Sequence, residues 1–138
     1  MRERQRGERV SKYYPAMRFD INQAQALVNI LTMELNLPSV RVKYFQFLNG
    51  CNGIYKEYES EIHIQKDRAK LSTLLHEVAH HLQCKGYGFN YIGETVHGAT
   101  FQKSLRKIIR TFKIAYDDPN YDYFTRGKKW DIQNFQMG

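Results

Sequence analysis

Apolar residues return every third or fourth position at Ala24, Leu27, Val28, Leu31 and Leu35, which predicts an amphipathic helix from Asp20 to about Leu37. Asp20 is a suitable cap, Gln23 stands where its capping-box partner belongs, and Pro38 ends the run. The period then shortens to two. Val40, Val42 and Tyr44 alternate with Arg41 and Lys43, so a strand is expected to about Leu48. Asn49-Gly50 and Asn52-Gly53 read as turns. Ile54 to Tyr58 and Glu61 to Gln65 read as two further strands around a short Glu59-Ser60 turn. Helical spacing resumes from about Asp67 to Cys84, closed by the Gly86 and Gly88 region, and again from Val96 to Tyr116 before Asp118-Pro119. Tyr121 to Trp130 reads as a hairpin about Arg126-Gly127. The strands cluster instead of alternating with helices, so the expected class is α+β: an N-terminal helix, a three-stranded sheet, two helices and a small C-terminal β hairpin.

Composition narrows this picture. A chain of 138 residues suits one domain. We assign that domain to residues 15–138 and read residues 1–14, with Arg2, Arg4, Arg6, Arg9 and Lys12, as a flexible basic arm. No apolar run is long enough to span a bilayer, and no apolar stretch follows the charged N-terminus as in a secretory signal. The expected location is cytoplasmic, with nucleoid association in view of the charge. Two cysteines, Cys51 and Cys84, exclude a disulfide scaffold and a four-cysteine zinc ribbon.

The net charge of +7 asks for a partner or for plain solvation. The last predicted helix concentrates it. Phe101, Leu105, Ile108, Ile109, Phe112 and Tyr116 form one face, and Lys103, Arg106, Lys107, Arg110 and Lys113 form the other. A solvated face is the plain reading. Its uniform sign, together with the arm, also suits phosphate contacts with DNA that do not depend on sequence.

The densest chemistry is His76-Glu77-Val78-Ala79-His80. Residues four apart on a helix share a face, so the two imidazoles are placed to grip one metal ion. The intervening glutamate is near enough to take a proton from an attacking water. With Leu71 set at zero on a helical wheel, Leu74, Leu75, Val78 and Leu82 cluster around it. His76 and His80 fall at about 140° and 180°, away from that stripe. A hydrolytic site needs a third protein ligand, and His97 and Glu94 are the candidates. Cys84 is a turn too far along. His81 is rotated about 100° from His80 and reads as a packing or surface residue. His63, between Ile62 and Ile64, points opposite to them, either to solvent or to a cleft. Two function classes compete: a hydrolase, and a non-catalytic nucleic-acid-binding module whose zinc only braces two helices. A bracing site has no use for Glu77.

His76-Glu77-x-x-His80 followed by His97-Gly98-x-x-Phe101 resembles the SprT-like (Spartan-type) zinc metallopeptidases. Asn52-Gly53-Ile54-Tyr55 and Glu61-Ile62-His63-Ile64 add to the likeness, which covers roughly residues 20–116. It differs from the metzincin pattern, because Gln83 stands where that pattern has Gly and Gly86 where it has His. The resemblance implies a zincin-like minimal core, zinc held by His76, His80 and His97, and Glu77 as general base of an endopeptidase. Some members of the family act on proteins crosslinked to DNA. Many carry a C-terminal zinc ribbon, and no cysteine follows Cys84 here. Tyr87, Tyr91, Tyr116, Tyr121, Tyr123 and Arg126 are the candidate oxyanion donors. Glu61 to Gln65 is the expected sheet edge for an extended peptide.

Overall fold

The computed structural model describes residues 18–48, 50–90 and 95–117. The basic arm, Glu94 and the hairpin over Tyr121 to Trp130 lie outside these residues, as do Tyr91, Tyr121, Tyr123 and Arg126. Helix α1 spans Ile21–Glu34, strand β1 Arg41–Phe45, β2 Gly53–Lys56 and β3 Glu61–Gln65. Helix α2 spans Leu71–His81 and runs into a π-helical turn, Leu82–Gly86, and α3 spans Ala99–Asp117. The fold is α+β, with three helices and a mixed three-stranded sheet.

Helix α1 begins as its first residues dictate. Asp20 accepts from the Gln23 backbone N–H at 2.8 Å, and the Gln23 side chain accepts from the Asp20 N–H at 2.8 Å. Such a cap is worth about 1 kcal/mol. The helix stops earlier than Pro38 alone requires. Asn36 takes a left-handed conformation (φ 54°), and the Leu37 N–H turns back to the Thr32 carbonyl at 2.9 Å. The Asn36 N–H reaches the Met33 carbonyl at 3.3 Å, completing a Schellman motif.

The strand order is β1-β3-β2, with β1 parallel to β3 and β2 antiparallel to it. Strand β3 is therefore central, and both of its edges are paired. The expectation that Glu61 to Gln65 offers a free edge is overturned. Two short strands of opposite polarity can both dock on the β3 backbone, and Ile62 and Ile64, both fully buried, repay that placement. The outer edge of β1 is closed by Gln25 of α1, which donates to the Val40 carbonyl (2.9 Å) and accepts from the Val42 N–H (2.7 Å). The first strand is shorter than its alternation suggests, because the Leu48 N–H turns to the Gln65 side chain and its carbonyl accepts from Cys51. Strand β2 ends at Lys56, where the turn to β3 begins.

One sheet face carries the core. Leu27, Leu31, Val42, Ile62, Ile64, Leu71, Leu74, Leu75, Val78, Phe101, Leu105, Ile108 and Phe112 are all buried in a single cluster. Helix α2 lies at its centre. It starts at Leu71 and not at Asp67, because residues 66–68 form a 3-10 turn first. The wheel places only one side of α2 against the core. In the structure no residue from Leu71 to Cys84 is exposed, because the histidine side is covered by the start of α3. No helix among the described residues is long and apolar enough to cross a membrane.

Candidate metal centre

His76 and His80 project from one face of α2, as their spacing requires, with ring centroids 4.9 Å apart. His97 arrives from another part of the chain. It sits in the turn 95–98, closed by a Gly98 N–H to Thr95 carbonyl bond at 3.0 Å, and precedes α3. The helix expected from Val96 begins at Ala99 instead, so a turn and not the helix presents His97. One nitrogen from each of His76, His80 and His97 lies within 4.8 Å of the others. The Nε2 atoms of His80 and His97 are 3.1 Å apart. Three imidazoles so close are near enough to hold one metal ion.

Phe101 is the floor of this cluster. It is fully buried, and its ring centroid lies 4.8 Å from His76, 4.5 Å from His80 and 4.9 Å from His97. The first turn of α3 carries Phe101 and so sets its ring under all three imidazoles. The apolar setting also sets the charge of His76 and His80. Burial, then the neighbouring His80 and His97, pushes His76 down to about 3. Burial lowers His80 to about 4, assisted by His97 and opposed by a hydrogen bond to Gln83. Both rings are neutral near pH 7, which is the form that binds metal.

Glu77 is buried, at 5% exposure, on the side of α2 that meets β2. A Cβ added to Gly53 in β2 would stand 3.0 Å from Glu77 Oε2 and 3.0 Å from Ile64 Cδ1. The glycine therefore allows β2 to pass close beside the carboxylate.

The other histidines are elsewhere. His81 is fully buried; its Nε2 donates to the Pro38 carbonyl at 2.7 Å, and its Nδ1 accepts from the Tyr55 hydroxyl at 2.8 Å. It ties α2 to β2 and to the end of the α1–β1 link, so its role is packing. Its burial lowers its pKa. His63 lies on the sheet face opposite Ile62 and Ile64, bonded to Glu61 at 2.8 Å and with its ring centroid 4.7 Å from that of Phe45 in a tilted contact. It takes no part in the cluster. Cys84 is buried beyond His80 and outside the three-residue cluster. Tyr87 is partly exposed, with Lys103 Nζ 4.5 Å over its ring.

Sequence reasoning missed one residue of the site. Gln83 is fully buried and bridges His80 to the backbone before His97. Its position three residues after His80 was the available signal, because i and i+3 share a helix face.

No family model, curated protein or solved structure matches this chain.

Proposed function

We propose that this chain is a zinc-dependent endopeptidase of the SprT-like kind, with a zincin-like core. The observation that carries the reading is the convergence of His76, His80 and His97 within 4.8 Å, with the buried Glu77 on the same helix as two of them. The donor set fits zinc: three imidazoles without a thiolate suit an open, hydrolytic site. Zinc bound there would acidify water and polarise a scissile carbonyl. Glu77 takes a proton from the attacking water and passes it to the leaving nitrogen. His97 is exposed, which gives substrate and solvent a way in. Strand β2 is the sheet edge beside Glu77, and it replaces β3 as the strand along which an extended peptide would pair.

Zinc content tests the ligand set. Wild type is expected to hold one zinc per chain after dialysis, and His97→Ala to lose most of it while keeping its helical circular dichroism. Full retention by His97→Ala would remove His97 from the site.

The exposed side of α3 supports a second element of the reading. Lys103, Arg106, Lys107, Arg110 and Lys113 are all exposed, and no acidic side chain stands among them. We take this face to contact DNA without sequence preference, which would bring the peptidase to DNA-associated proteins.

A further inference from the structure

We propose that Gln83 is a positioning residue: one buried carboxamide selects the tautomer of His80 and holds the segment that carries His97. The proposal rests on reading the three histidines as a metal centre.

Gln83 has two side-chain partners and no solvent exposure. Its Nε2 donates to the Val96 carbonyl at 2.8 Å, and its Oε1 faces Nδ1 of His80 at 3.0 Å. A backbone carbonyl can only accept, so the amide nitrogen must face Val96. The amide oxygen then faces His80, and it too can only accept. Nδ1 of His80 must therefore carry the proton, and the lone pair is left on Nε2. That Nε2 is the atom 3.1 Å from Nε2 of His97. The carbonyl of residue 96 thus decides, through one side chain, which nitrogen of His80 faces the cluster.

The same bond acts on the third imidazole. Val96 immediately precedes His97, and its carbonyl is fastened to the π-helical turn that follows α2, across 13 residues of chain. The backbone of Gln83 is itself held, because its carbonyl accepts from the Phe89 N–H at 3.0 Å. The adjacent His81 makes the contrast. Its Nε2 donates to a carbonyl, so it takes the opposite tautomer and stays out of the cluster. Outer partners of this kind orient ligating imidazoles and raise their basicity.

The test has two readouts. Long-range proton–nitrogen NMR of the zinc-free wild type at neutral pH should show His80 protonated on Nδ1; protonation on Nε2 would overturn the proposal without any variant. Competition with a chelator should then show Gln83→Leu binding zinc ~10–100-fold more weakly than wild type, with His80 no longer fixed in one tautomer. Gln83→Glu keeps an acceptor for His80 but cannot donate to Val96, so it should keep the tautomer and recover only part of the affinity. Should Gln83→Leu not fold, the wild-type tautomer and Gln83→Glu decide. Wild-type affinity and tautomer in folded Gln83→Leu would refute the role of Gln83 alone. Failure of the wild type to bind zinc would refute the metal centre, and the role of Gln83 with it.

Discussion

Glu77 is the one acidic side chain buried among the described residues. Burying a carboxylate costs several kcal/mol unless the site engages it. Its neighbour Gly53 sets how closely β2 approaches. Gly53→Ala puts a methyl 3.0 Å from both Glu77 Oε2 and Ile64 Cδ1, so the side chains must give by a few tenths of an ångström. With Glu77 as the proposed general base, displacement on that scale should lower kcat about tenfold while zinc content stays at wild type. A kcat unchanged in Gly53→Ala would show that the carboxylate position does not matter. The histidines add a pH dependence. In the folded, metal-free chain His76 and His80 hold protons only below about 3 and about 4. In the unfolded chain they take them up near 6.5. Between those limits the unfolded state binds more protons, so stability is full above about pH 6.5 and falls as pH drops toward 4. Urea melts of the metal-free protein should show this fall. Replacing both histidines by Phe should flatten it, and an equal slope in that double variant would contradict the assignment.

At the scale of elements, α3 has two ends of different use. Its first turn carries Phe101 under the imidazoles, and its later turns present the basic side. Lys107→Glu with Arg110→Glu should weaken binding to a DNA duplex at low salt by tenfold or more, and wild-type binding should fall steeply as salt rises. Binding insensitive to salt would discard the DNA contact. The α3 pattern was legible because amphipathic spacing of 3.6 survives any tertiary context, as Leu105, Ile108 and Phe112 show. The capping box of α1 was legible for a similar reason: Asp20 and Gln23 are local partners. The ends of elements were not. Asn36 terminates α1 through a left-handed residue, and Gln65 draws Leu48 out of β1, both by bonds that only the folded chain forms.

For the whole molecule, strand alternation assigned the faces of Val42, Ile62 and Ile64 but not the order of the strands. Order depends on the parallel pairing of Arg41 with Glu61 across 20 residues, which no local period encodes. The three-histidine cluster follows the same division. His76 and His80 were legible from one helix turn, and His97 from the His97-Gly98-x-x-Phe101 match of the family resemblance, whereas the Gln83 bridge depends on where residue 96 comes to rest. The resulting assembly packs one central helix between a sheet edge that bears Gly53 and a turn that bears His97. Glu77→Gln separates peptide hydrolysis from metal binding. Zinc per chain and cleavage of a denatured protein should be measured on the same samples. Glu77→Gln should keep wild-type zinc content with cleavage reduced ~10²–10⁴-fold. Undiminished cleavage by a zinc-loaded Glu77→Gln protein would contradict the proposed role of Glu77.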